Sequence, residues 1–198
     1  MDLTPLVIEG EHVRLEPLTQ DHLPRLLPAA LDEELWRWTL TQIRSTGDLE
    51  RYIEQALADQ RAGATLPFAI VHVPTGATIG STRFGNADHA HRRVEIGWTW
   101  VVRAHQRTGV NTEVKHLLLT HAFARLACVR VEFKTDALNL TSRAALARIG
   151  AVEEGTMRRH MITESGRHRD SVYFSIIAEE WPEVARALRE RLRPATMP

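Results

Sequence analysis

The chain has 198 residues, room for one domain with a substantial core and too few for two of ordinary size. Its 25 basic and 25 acidic residues cancel to a formal net charge of zero, without the basic excess of a general nucleic-acid binder. The one cysteine, Cys128, excludes an internal disulfide, and no apolar run approaches the roughly 18 residues of a membrane span, so a cytoplasmic chain is expected.

The opening "MDLTPLVIEGEH" lacks a basic leader followed by an apolar block, so no signal peptide is expected. "EHVRLEPLT" alternates, with Val13, Leu15 and Pro17 on one side, and reads as a first strand. "QDHLPRLLPAALDEELWRWT" has helical spacing but two prolines, which predicts two short helices with a break near Pro28. Ser45, three residues before Asp48, caps a helix over "DLERYIEQALADQRAG" that Gly63 ends. "LPFAIVHVPTGATIGSTRF" reads as a hairpin around Pro-Thr-Gly, and after a loop "GNADHAH" comes a third strand, "RRVEIGWTWVV".

A helix follows from about Asn111 to Leu126, with an apolar stripe of Val114, Leu117, Leu118, Phe123 and Leu126. "VRVEFKT" is a strand and "NLTSRAALARIG" a capped helix ended by Gly150. Strands around Thr156–Met161 and Val172–Ile177 flank the turn "ESGRH". "EEWPEVARALRERL" is a last helix with Pro182 in its first turn, and residues 194–198 are a loose tail. The order predicts an α/β (α+β) fold: one domain over residues 1–193, built on a single mixed, mostly antiparallel sheet with helices on both faces.

Histidines are numerous but poorly placed for a metal. His116 and His121 do not share a helix face, and His89 and His91 lack a third ligand, so no metal is expected.

The segment "QRTGVNTE" is the informative loop. It leads from a strand into a helix whose first N–H groups lack internal partners and carry the positive end of the dipole. Gly109 permits close backbone approach, and Arg103 and Arg107 add charge. An anion cradle and an ordinary strand–helix connection both fit. The loop lacks the Gly-Lys-Ser/Thr ending of a P-loop and two of the three glycines of a dinucleotide fingerprint.

"QRTGVN" resembles the Gln/Arg-x-x-Gly-x-Gly/Ala motif of the GNAT superfamily of acyl-CoA-dependent N-acyltransferases. "VEIGWTWV" is similar to the strand before that motif. "NLTSRAALARIGAVEEGTMRRH" and "RDSVYFSIIAEEWP" resemble the later blocks of the RimJ/RimL-like branch, and "GEHVRLEPLTQDHLPRLL" resembles its first strand and helix. The resemblance spans nearly the whole chain, with the motifs in family order.

The resemblance implies acetyl-CoA as cosubstrate and direct N-acetyl transfer to a primary amine, on a protein N-terminus or a small molecule. It implies that Gln106, Arg107, Thr108, Gly109, Val110 and Asn111 hold the CoA pyrophosphate, with Thr112 beside them. Asn111 stands where the family has Gly or Ala and is expected to cap the helix. Trp100, Val101 and Val102 would lie along the pantetheine arm, while the side chains of Trp98 and Trp100 share one strand face and pack. Asn139 and Arg143 belong to the same cofactor-binding set. Leu146 stands where many members carry the tyrosine that protonates the thiolate, and Ser142 is the branch's substitute acid.

Glu95 is a candidate base, on the same strand face as Thr99 and Val101 and facing a wet cleft. Two readings compete with catalysis: a non-catalytic CoA sensor, and a scaffold with a decayed loop. The partners implied are an amine substrate and, as a homodimer, a second copy of the chain; neither nucleic acid nor membrane is expected.

Overall fold

Strands form where alternation and β-branched content place them. In the computed structural model, which describes residues 1–193, they are β1 (Ile8–Glu9), β2 (Val13–Pro17), β3 (Leu66–His72), β4 (Ala77–Asp88), β5 (Arg93–Val101), β6 (Arg130–Asp136), β7 (Val152–Ile162) and β8 (His168–Ile177). The helices are α1 (Leu23–Ala30), α2 (Thr46–Arg61), α3 (Val110–Ala124), α4 (Leu140–Arg148) and α5 (Trp181–Leu192). The expected tail, residues 194–198, lies outside the described residues.

The strands make one sheet in the order β1-β2-β3-β4-β5-β6-β8-β7. Every neighbouring pair is antiparallel except β5 and β6. Helices cover both faces. On one, Val114, Leu118 and Leu119 of α3 and Leu188 of α5 pack on Phe84, Ile96, Phe133 and Phe174. On the other, Leu26 of α1 and Leu49, Ile53 and Ala56 of α2 pack with Trp36, Ala69 and Trp100.

The parallel pair positions the site. β5 and β6 pair only at Arg93/Arg130, Val94/Val131 and Glu95/Glu132. Past Glu95 they part, and β5 follows β4 alone as far as the Val101/Gly80 pair. A β-bulge bends β5 there. Gly97 pairs with Arg83 and Trp100 with Ser81, which leaves Trp98 and Thr99 both opposite Thr82. Trp98 has φ +50°, a left-handed conformation that costs a bulky residue roughly 1–2 kcal/mol.

The bulge corrects an expectation built on strict alternation. Thr99 turns toward α3, where its Oγ1 meets Thr82 Oγ1 at 2.7 Å and accepts from Lys115 Nζ at 2.8 Å. Val101 packs into the core under α3. Glu95 pairs with Gly85, in register with Arg83 and Gly97, and so lies on the opposite face. Trp98 differs from expectation too: it is 41% exposed, while Trp100 is buried against Trp36 at 5.3 Å between ring centroids.

Other differences are local. α1 runs through Pro28 to Ala30, because in the last turn the missing N–H costs a single helical bond. "GNAD" continues β4 instead of forming a loop, and β7 and β8 both start earlier than their apolar cores suggest. α3 ends at Ala124, two residues short of Leu126. The caps at Ser45, which accepts from the Asp48 N–H, and at Asn139, which accepts from the Ser142 N–H, form as expected.

Candidate functional site

The loop after β5 is a chain of tight turns. The Val102 N–H donates to Ile79 O at 2.8 Å, and His105 and Gln106 N–H groups donate to Val102 O and Arg103 O at 3.0 Å each. Gln106 Nε2 donates to Val101 O at 2.9 Å and ties the loop to the end of β5. Thr108 Oγ1 donates to His105 O and accepts from the Val110 N–H. The first helical bond of α3 runs from Glu113 N to Gly109 O.

The backbone N–H groups of Arg107, Thr108, Gly109, Asn111 and Thr112 find no acceptor among the described residues. They cluster at the start of a 15-residue helix, where the dipole favours negative charge. Arg103 and Arg107 are exposed beside them, with Arg103 in a loose 3.8 Å pair with Asp32. Burial and the neighbouring His72 hold the His105 imidazole below its usual pKa, so at neutral pH it adds little charge.

One expectation about this loop changes. Asn111 lies inside the helix and caps nothing; its Oδ1 is buried without a donor among the described residues. The left-handed residue is Arg107, at φ +61°, whereas Gly109 is helical at φ −67° and is itself the cap position. Neither conformation nor packing demands glycine at 109, because an added Cβ would meet nothing nearer than Leu192 Cδ2 at 3.7 Å. A group approaching the loop backbone would need that open space.

The wedge between β5 and β6 opens beside this loop. Trp100 and Val101 are buried on its β5 side, with Val101 O taken by Gln106 and the Val102 N–H taken by the sheet. α4 begins just past the end of β6. Asn139 Oδ1 is occupied by its capping bond to the Ser142 N–H at 3.0 Å. Ser142 is half-buried, and its hydroxyl has no partner among the described residues. Arg143 is engaged elsewhere: it reaches Glu153 at 3.2 Å and the Ala137 carbonyl at 3.4 Å. Leu146 is a core residue.

Glu95 is 5% exposed and held. Asn86 Nδ2 donates to its Oε2 at 2.7 Å, and Lys134 Nζ lies 3.4 Å from the same oxygen. It lines a cavity of about 670 Å³ with Asn86, Arg93, Glu132, Met157 and Tyr173. The carboxylate therefore borders that cavity with a cation and an amide already on it.

Two of the three buried cations among the described residues, Lys115 and Arg83, had no clear signal in the sequence. Lys115 is buried on α3, with Nζ donating to Thr99 and lying 5.7 Å from the Phe133 ring centroid, among atoms of both parting strands. Burial pushes its amine down to about 7, against a weaker upward pull from Glu95. Its adjacency to Val114 and its spacing from Leu119 were the only hints. Arg83 is 3% exposed on β4, in a run where every residue from Thr78 to Gly85 is buried, so alternation carried no information there.

A family model described as an acetyltransferase (GNAT) domain matches residues 12–152. YdaF of Bacillus subtilis strain 168, provisionally named a ribosomal N-acetyltransferase, is 35% identical over 106 residues. That match covers 54% of this chain and 57% of YdaF, so it spans little more than half the relative's length. A crystal structure from T. thermophilus, provisionally described as an acetyltransferase, aligns over 98% of this chain and 100% of its own, at 34% identity and TM-score 0.89. Mycobacterium smegmatis RimJ, solved in complex with CoA-disulfide, aligns over 96% of both chains at 26% identity and TM-score 0.83.

Proposed function

The chain belongs to the acetyltransferase (GNAT) domain family, and from that premise we propose that it transfers an acetyl group directly from acetyl-CoA to a primary amine. The observation that carries this reading is the cluster of five N–H groups without acceptors at the start of α3, beside the opening between β5 and β6. Such donors suit a pyrophosphate, and Arg103 and Arg107 add charge at the rim. The opening suits an extended pantetheine arm. Gln106 supports the site indirectly, by holding the loop to Val101.

The chain's residues then divide the proton work. Ser142, whose hydroxyl is uncommitted, passes its proton to the departing sulfur and recovers one from water, since Leu146 has no group to do so. Glu95 accepts the amine's proton, through an intervening water. An α-amine, with pKa about 7.7–8.0, asks less of that base than a lysine at about 10.4. This favours a protein N-terminus or another weakly basic amine as acceptor.

The test has two parts. Coenzyme A at about 100 times its dissociation constant should add about 2.7 kcal/mol of stability in a thermal-shift series. Acetyl-CoA with a panel of amines should then release free thiol. A shift without any turnover would mark a CoA sensor, and no shift would end the proposal.

A further inference from the structure

A second cavity, of about 390 Å³, lies on the α2 side of the sheet between Gln42, Tyr52, Arg83, Trp98 and Glu164. Arg83 is the unusual member. It is almost fully buried, yet no carboxylate among the described residues lies within ion-pair distance of it. Its one hydrogen bond among the described residues is a long one, from Nη2 to the Tyr52 carbonyl at 3.5 Å, and its Nε has no acceptor there. The Tyr52 hydroxyl is also buried without a partner among them.

The acids around the cavity do not answer this charge. Asp48 accepts from Arg51, Ser45 and the Arg44 N–H. Glu164 accepts from Arg44 and the Gln42 N–H. Asp59 accepts from Gln55. A buried charge without a counter-charge is costly.

The aromatic contacts say how it would be used. Arg83 Cζ lies 4.5 Å from the Tyr52 ring centroid and 5.5 Å from that of Trp98. Such contacts occupy a guanidinium's faces and leave its in-plane N–H fork for a planar acceptor. Trp98 reaches Arg83 from the bulge, as the one residue of β5 in a left-handed conformation. Strain of this kind gathers at ligand sites.

We infer that Arg83 binds a carboxylate carried by the amine substrate, with that substrate seated in this cavity. The inference rests on the acetyl-transfer reading and narrows its substrate class. The carboxylate comes either from a small amino acid or from an acidic side chain near a protein N-terminus; Arg83 meets the same group in both.

Matched acceptors test it on the unmodified chain. Serine, glutamate and methionine are offered as free acids and as α-carboxamides, together with Ser-Glu-Ala-amide and Ser-Gln-Ala-amide, following thiol release from acetyl-CoA. The acid of at least one pair should exceed its neutral partner by about tenfold or more in kcat/KM. Which pair responds tells the two sources apart. Arg83→Met should erase that preference, mainly through KM, while the thermal shift with CoA is unchanged. Neutral partners used as well as acids, in protein that binds CoA and turns over, would overturn the inference and leave acetyl transfer standing. Should Arg83→Met not fold, the unmodified matched pairs decide alone. Should CoA binding or turnover be absent, the acetyl-transfer reading fails by itself. The inference is then read from thermal shifts with the same acids and amides: preference for the acids sustains a carboxylate site, and equal or no shifts overturn it.

Discussion

Replacing Lys115 with methionine should stabilise the protein near pH 6, and the gain should fade as pH rises. Lys115 is buried on α3, with one hydrogen bond to Thr99 at 2.8 Å and no carboxylate among the described residues within ion-pair distance. Burial pushes its amine from an ordinary 10.5 to about 7. At 1.36 kcal/mol per pH unit, holding that ammonium in the fold costs roughly 4–5 kcal/mol at pH values below 7. Methionine has a similar length and no charge to bury, but it forfeits the bond to Thr99, worth about 1 kcal/mol. The net gain near pH 6 is on the order of 3–4 kcal/mol. The sign follows from linkage. Between about pH 7 and 10 the unfolded chain holds more protons at this site than the folded one, so the native protein gains stability with rising pH while the variant does not. Urea unfolding of both proteins near pH 6, 8 and 10 should show the midpoints converging. A variant no more stable than the parent near pH 6, or a gap that stays constant with pH, would refute a buried, destabilising ammonium.

Gly80→Ala should cost about 3 kcal/mol or more and weaken the β4–β5 pairing, because its Cβ would sit 2.1 Å from the Trp100 carbonyl oxygen; thermal denaturation would show it. Gly109→Val should keep the fold, since nothing lies within 3.4 Å of the new Cβ, yet abolish CoA binding by calorimetry; unchanged affinity would remove the loop from the CoA site. Ser142→Ala should lower turnover more than it weakens acetyl-CoA binding, and equal activity would return the residue to packing. Glu95→Gln should remove the acidic limb of the pH–rate profile with acetyl-CoA affinity preserved; a surviving limb would place the base elsewhere.

Much of this molecule was legible because its signals are local. Ser45 and Asn139 cap helices through bonds that span three residues, and Gly63, Gly76 and Gly150 stop elements with their own positive φ. The motif order around "QRTGVN" identified the family, and the strand–helix junction there leaves N–H groups open, as helix geometry requires. What needed the tertiary structure is set by neighbours far away in the chain. The face on which Glu95 lies depends on a bulge, and that bulge exists only in the register between β4 and β5. The left-handed residue of the loop is Arg107 and not the glycine, because the turns that precede it decide the backbone path. Lys115 and Arg83 look in sequence like ordinary surface cations. Their burial comes from α3 packing across the parting strands and from α2 packing over β4, and a side chain's own sequence neighbours carry no record of which distant surface will cover it.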